Sequence, residues 1–473
     1  MRVGYSFDRD RLLGRFDETV RLTGLEGISN VAKDIVIDLC VDPFIKQAAL
    51  AEKYSLTKDE LLEINSNLRD NQSVQKLITE YGPASAYWLN TIIPLTSSHH
   101  FQAALENKHA YPNRIGLHPG MSCMFYCPFC PRNYYANYTK EQAAHGLDVF
   151  KRLIDEDPKD TPDWPDRFRI SGGHEPLTNP HVPEIISYAT GKGFRMQIYT
   201  NGHNLTKSWV KKNPEMWQLH ALRVSMYGVD DESYASTTKK PGSFAIVKQN
   251  IIDFLSEARA RGSKMKIGIN WIVLPGQTSN VVKLINLVKE INSTARKPID
   301  FITLREDYSP EQPGLSREDR LSLIEIFDWI KTEQRSGNFP TKIDYGYALT
   351  PLLTGYTDFG NIMRTPHTIM DAKGFPQLSL QVDNLGDAYV YHGTAYLEKP
   401  GADKYIIGRI GEQGLDEIVK SHVTSDRLFS YTQPDLEYLD SFDNAATLLL
   451  DQIKSDRAFG IDWSQRLIKA ATI

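Results

Sequence analysis

The chain is short of several things, and each shortage excludes something. Four cysteines in 473 residues are too few for a disulfide-built scaffold. No apolar run approaches the ~18 residues that cross a bilayer. The charged start, with Arg2, Asp8, Arg9, Asp10 and Arg11, has no apolar stretch behind it, so no secretory signal is expected. Neither charge dominates: 54 basic against 59 acidic residues give −5, with a pI near 6.2, which argues against a dedicated nucleic-acid binder. There is no G-x-x-x-x-G-K-[ST] phosphate loop and no G-x-G-x-x-G fingerprint after a strand. Repeats, low-complexity tracts and collagen-like or disordered bias are missing too. What remains is an ordinary soluble composition, 41% hydrophobic and 24% charged, with enough apolar matter for a real core. The length fits two or three domains, or one large barrel with extensions.

Residues 1–110 have a helical pattern. Thr57 and Glu60 form a capping box ahead of Leu61 and Leu62, and apolar residues cluster from Val31 to Cys40 and from Val74 to Tyr81. A helical cap or interface domain is expected there. From about 113 the pattern becomes alternating strands and helices. Strands are expected at Ile115–Leu117, Phe168–Ile170, Phe194–Ile198, Leu222–Met226, Met265–Leu274 and Phe301–Leu304. Between them, Val247, Ile251, Leu255 and Ala258 share a helical face that Gly262 is placed to end. Val281, Ile285, Val288 and Ile291 share another, and Ser316 with Asp319 caps a third helix. Six β/α units in order imply a parallel sheet with right-handed crossovers. A full TIM barrel needs eight. The expected fold is therefore α/β, a partial (β/α)6 barrel of TIM type over residues 111–340. A helical domain at 1–110 precedes it, and an α+β extension at 341–473 follows and covers the active site. Within that extension, Ile343 to Leu349 could be a seventh strand. Leu378 to Tyr391 resembles a hairpin about Asn384-Leu385-Gly386, and the tail from about 440 a helix.

Three of the four cysteines lie within eight residues: Cys123, Cys127 and Cys130, in the spacing C-x3-C-x2-C just after the first strand. Loops after the strands carry the active site in such sheets. Three thiolates on one short loop can wrap a single metal centre and are too close in sequence for a sensible disulfide set. A [4Fe–4S] cluster normally takes four cysteines. Only Cys40 remains, in the helical region, so one iron would keep an open coordination site, a mark of chemistry rather than scaffolding. Met124, Phe125, Tyr126 and Phe129 would make the surroundings apolar. The competing reading is structural zinc, with His118 nearby, or a chance cluster of buried cysteines.

With that loop after the first strand of a partial barrel, the sequence resembles the radical S-adenosylmethionine (SAM) superfamily. The resemblance implies that the three cysteines hold the cluster and that the amino and carboxylate groups of SAM chelate the fourth iron. One electron, from a donor such as flavodoxin or ferredoxin, then cleaves SAM, and the resulting 5′-deoxyadenosyl radical abstracts a substrate hydrogen. Ser171-Gly172-Gly173-His174-Glu175-Pro176 resembles the superfamily's Gly-Gly-Glu motif, with His174 inserted before Glu175. The implied cofactor-binding set is Phe129, Gly172, Gly173, Glu175, Thr200, Asn201, Ser225 and Asn270. Thr200 and Asn201 would approach the SAM ribose or the substrate, Ser225 the ribose or carboxylate, and Asn270 the adenine. Each of these polar residues could equally be a turn or strand-end cap.

Further segments resemble members of the superfamily that deaminate nucleotide-linked amino sugars. They include Ala86–Thr91, Ser171–Pro180, Ser225–Gly228, Leu304–Ser309, Ile343–Leu349 and Gln381–Asp383. The implied reaction takes hydrogen from a carbon of an amino-deoxy nucleotide sugar and eliminates ammonia, giving a deoxy keto sugar. Catalytic candidates are Arg305, Glu306, Asp307 and Tyr308, expected at the mouth of the barrel. Arg305 could bind the SAM carboxylate or a substrate phosphate. Glu306 or Asp307 could bind sugar hydroxyls or move protons. The bland alternative is an Arg–carboxylate network holding the barrel edge. Asp344, Tyr345 and Tyr347 are weaker candidates of the same type. Other functions kept open are a radical diol dehydratase or dehydrogenase on an aminoglycoside-like sugar, and a zinc- or cluster-bearing structural protein. No nucleic-acid or membrane partner is expected, and an open cluster suits a reducing cytoplasm.

Overall fold

The computed structural model describes residues 9–41, 44–81, 93–130, 136–159, 164–307, 314–346, 349, 352–353, 371–430 and 441–467. Its centre is a partial TIM-type barrel. Seven parallel strands pair in chain order: β1 (Arg114–His118), β2 (Phe168–Ile170), β3 (Gln197–Thr200), β4 (Ala221–Ser225), β5 (Lys266–Val273), β6 (Phe301–Glu306) and β7 (Lys342–Tyr345). The expected helices fall between them. Helix Ser243–Ala260 is followed by Gly262 at φ +62°, and Arg317–Arg335 starts from the Ser316/Asp319 capping box. Alternation along each strand sends one set of side chains to the helices and the other into the lumen. Leu222, Val224, Ile267, Ile269, Ile302 and Leu304 join the helix-side core.

The short pair β8 (Asp371–Ala372) and β12 (Phe429–Ser430) stands apart from this sheet. The expected hairpin is present as β9 (Ser379–Asp383) and β10 (Asp387–Tyr389), and it joins the barrel. β9 lies parallel to β1, with Gln381 opposite Gly116 and Asp383 opposite His118, and β11 (Ile406–Arg409) continues the sheet outward from β10.

A second core is built from the two ends of the chain. Phe16, Ile35, Val36, Leu50, Leu61 and Leu68 from the N-terminal helices pack with Leu449, Leu450, Ile453 and Leu467. The capping box at Thr57 and Glu60 is formed. Cys40 is fully buried in this core, and burial pushes its thiol pKa far above the usual range. Among the described residues no helix is long and apolar enough to cross a membrane.

Candidate active site

The loop after β1 carries the three cysteines and is pinned from several sides. The side-chain amides of Asn179 and Asn384 both donate to the Pro119 carbonyl, at 2.8 and 3.0 Å. The Thr178 hydroxyl accepts from Met121 N and Ser122 N at 3.1 and 3.2 Å. Glu175 N donates to Ser122 O, Tyr126 N to Thr238 O and Tyr138 N to Met121 O. Phe125 is buried, edge-to-face with Tyr234 and His203. Cys127 is buried, Cys123 and Cys130 are half-buried, and none of the three is in a disulfide. The Phe129 ring meets Tyr227 edge-on at 4.8 Å. Tyr227 and Tyr234 both lie close enough to the thiols to feel their charge, and burial pushes both phenol pKa values upward.

The donor set fits an iron–sulfur cluster. It is all thiol, on one loop at the C-terminal end of a parallel strand, within apolar walls. Among the described residues no three His, Cys, Asp or Glu groups stand close enough to share one metal ion. A cluster in which separate irons take separate thiolates does not require that.

The turn after β2 holds Gly172 at φ +78° and Gly173 at +63°, a region that only glycine enters without strain. A β-carbon on Gly172 would lie 2.7 Å from His118 Cε1 and 2.9 Å from His392 Nε2. Buried His118 is bonded through Nδ1 to the Ala395 carbonyl at 3.0 Å, and its Nε2 faces Gln381 Oε1 at 3.3 Å. Burial, with His392 nearby, pushes its pKa down to about 3, so the ring is neutral. The hairpin segment therefore backs the glycine turn. Nothing in the loop motif signals this, because the partners lie more than 200 residues downstream.

Glu175 is turned into the protein. Oε1 accepts from the Thr200 hydroxyl at 2.5 Å and Leu177 N at 3.1 Å, and Oε2 from Asn201 N at 2.6 Å. Burial raises its pKa against the pull of these three donors. The hydroxyl of Thr200 is spent on this carboxylate. Asn201 instead reaches toward the cysteine loop, with Nδ2 3.6 Å from Cys123 Sγ and 3.1 Å from Met124 Sδ.

Ser225, Asn270, Thr303 and Asp344 form one rung across β4 to β7, on the lumen face. One rung below, the Arg223 guanidinium sits against the rings of Tyr199 and Phe301, at 5.5 and 4.4 Å, and donates to Thr303 Oγ1. One rung above, Arg305 is exposed and acts on Tyr227, whose hydroxyl also bonds Ser225.

Glu306, expected at the mouth, faces the other way. Arg320 Nη2 donates to both of its oxygens at 3.2 Å, and Leu315 N donates to Oε1. The carboxylate is 1% exposed and its partner 6%. The structure thus places Glu306 in an Arg–carboxylate network on the helix side of the sheet, and the strand period is the reason: neighbours 305 and 306 cannot share a face. Asp307 is buried at the strand end. Tyr308, Tyr347 and the segment Ala86–Thr91 lie outside the described residues. Tyr345 packs its ring against Phe327 of the helix layer, 4.6 Å between centroids.

Comparison with known proteins adds a family to this geometry. The sequence pattern of the radical SAM superfamily matches residues 117–288. The dTDP-4-amino-4,6-dideoxy-D-glucose ammonia-lyase of Streptomyces venezuelae is 37% identical over 384 residues, 80% of this chain and 78% of that protein. The AdoMet-dependent heme synthase of Methanosarcina barkeri (strain Fusaro) is 32% identical over 174 residues, 37% of this chain and 46% of that one. Among solved structures, Streptococcus suis SuiB bound to its precursor peptide SuiA superposes with a TM-score of 0.46 at 11% identity, covering 74% of this chain and 69% of that one.

Proposed function

This chain belongs to the radical SAM superfamily, whose members use a [4Fe–4S] cluster and S-adenosylmethionine, and we propose that it removes ammonia from an amino-deoxy nucleotide sugar. The observation that carries the substrate is the extent of the likeness to the ammonia-lyase. It runs over 384 residues, far beyond the 117–288 stretch of the superfamily pattern, so it takes in parts of the chain outside the cofactor region.

Cys123, Cys127 and Cys130 would hold the cluster. When bound, cluster and SAM supply the radical that takes a hydrogen atom from a sugar carbon. The rest is the work of this chain's own groups. Gly172 and Gly173 offer bare backbone for close approach of the SAM amino group. Glu175 holds Thr200 and Asn201 in place rather than meeting the cofactor itself. Ser225 and Asn270 line the lumen on the cofactor side, and Phe129 against Tyr227 keeps water from the loop. Arg305, planar and always charged, suits the SAM carboxylate or the substrate diphosphate. The substrate loses ammonia from the amino-bearing carbon and the neighbouring carbon becomes a carbonyl, leaving a deoxy keto sugar.

The test is turnover by anaerobically reconstituted, reduced protein across a panel of nucleotide sugars. Expected are four irons per chain, 5′-deoxyadenosine released with SAM, and ammonia from dTDP-4-amino-4,6-dideoxyglucose. Cys127→Ala should abolish iron loading and SAM cleavage together. Stoichiometric zinc without SAM cleavage would sink the enzyme reading. SAM cleavage with ammonia from no amino sugar would sink the substrate, and turnover of hydroxyl-bearing sugars alone would favour a dehydratase or dehydrogenase.

A further inference from the structure

We infer that Asp344 is the group that recognises the substrate's ammonium and so sets the preference for amino over hydroxyl sugars; this rests on the substrate reading above. The argument begins with direction. Tyr345 turns its ring to Phe327 and Ile343 is buried in the helix-side core, so Asp344 between them projects into the lumen. Its carboxylate is exposed there, although it sits within a strand. Among the described residues its one hydrogen bond comes from Thr303 Oγ1, at 3.4 Å.

That bond is part of a built support. The hydroxyl of Thr303 accepts from Arg223, which itself lies against the rings of Tyr199 and Phe301 and meets Thr303 rather than Asp344. Lys342 lies one rung lower on the same face and Arg305 one rung higher, neighbouring β6. A carboxylate oriented by a hydroxyl, with most of its acceptor sites left over, is what an ammonium of three donors requires.

Position agrees with chemistry. Asp344 shares a rung with Asn270, two strands away, which at ~4.8 Å per strand is about 10 Å. A sugar ring would fit between a group held at Asp344 and a cofactor that Ser225 and Asn270 would hold. Arg305, on the same side, carries the sign of charge that an anionic part of the substrate requires. The lumen thus offers opposite charges to the two charged ends of an amino-sugar nucleotide.

The experiment compares the amino sugar nucleotide with its hydroxyl counterpart, in reconstituted holoenzyme and by calorimetric binding. Asp344→Asn should weaken binding of the amino compound, and lower its kcat/KM mainly through KM, by about 10- to 100-fold, the worth of a charge-assisted hydrogen bond. The hydroxyl compound should change less than about threefold. Thr303→Val, which frees the carboxylate without removing it, should shift the same ratio by a smaller factor. Equal losses on both compounds, or no loss on the amino compound, would overturn the role of Asp344. If the unaltered enzyme binds and turns over only the hydroxyl compound, the substrate reading fails first and this inference with it. Iron content and melting temperature of each variant separate these outcomes from misfolding.

Discussion

Buried polar groups are handled differently in the two cores. Around the sheet one set of them lies at the C-terminal ends of strands, where His118, Glu175, Asn201, Asp307 and Asp383 are all buried, while the fully buried Arg167–Asp157 pair stands before β2. In the core made by the chain ends they sit inside the helical pack and stitch distant segments together. Asp456 accepts from Gln47 N at 2.7 Å, Asn65 donates to Gln47, and Gln452 donates to the Ile45 carbonyl. Arg466 and Asp456, each 1% exposed, pair at 3.0 Å. The first set surrounds a place where chemistry is proposed. The second set only fixes register between the two ends. Removing a polar group should therefore cost stability in the end core, and cost activity or change pH behaviour at the strand tops, except at Glu306, which is turned to the helix layer and paired with Arg320.

The sharpest way to break this contrast is Asp456→Ala. It leaves the Arg466 charge buried without its carboxylate, which should cost about 3–5 kcal/mol in a denaturant titration. Iron content and SAM cleavage of the fraction still folded should stay near parental values; loss of both at full stability would erase the distinction. Next in size is Asp383. Burial, aided by Asp387, pushes its pKa up to about 7 from an ordinary value of 3.8. Between pH 4 and 7 the unfolded chain is ionised while the folded one keeps its proton. Folding takes up a proton there, and stability falls as pH rises through 7, by on the order of 4 kcal/mol. Asp383→Asn should flatten that fall and melt above the parent at pH 8, whereas parallel pH profiles for parent and variant would refute it. Smallest is Glu306→Gln, which leaves Arg320 a neutral partner. It should cost roughly 2 kcal/mol of stability and leave SAM cleavage per folded molecule within about threefold. A large drop in turnover without unfolding would return Glu306 to the catalytic group.

Much of this was legible from the residues because it is local. The capping boxes at Thr57 and Ser316, the strand runs of β1, β2 and β4 to β6 and the turn at Asn384–Gly386 all follow from rules that span a few positions, whereas β3 forms at Gln197–Thr200 rather than from Phe194. The cysteine spacing was legible for the same reason. The opposed faces of Arg305 and Glu306 were also within reach, since the two-residue period alone separates them. Other features depend on pairing at long range. That β9 would lie beside β1, or that Leu449 would share a core with Ile35, is written in no window of sequence. The commitment of Glu175 to Thr200 and Asn201 belongs to this group, because it needs β2 and β3 side by side.

The pairing of β9 with β1 also sets an order in time. Asn384 and Pro119, joined by one of the bonds that hold the cysteine loop, are 265 residues apart. At ~5–20 residues per second, a ribosome that has just made the loop needs roughly 13–50 s more to deliver that anchor. During that interval the nascent barrel has an unpaired β1 edge beside three reduced thiols, and its N-terminal helices still await their partner from the chain's other end. The last fifth of synthesis, from β9 onward, closes both cores, so a truncated product has its chemistry encoded but not assembled.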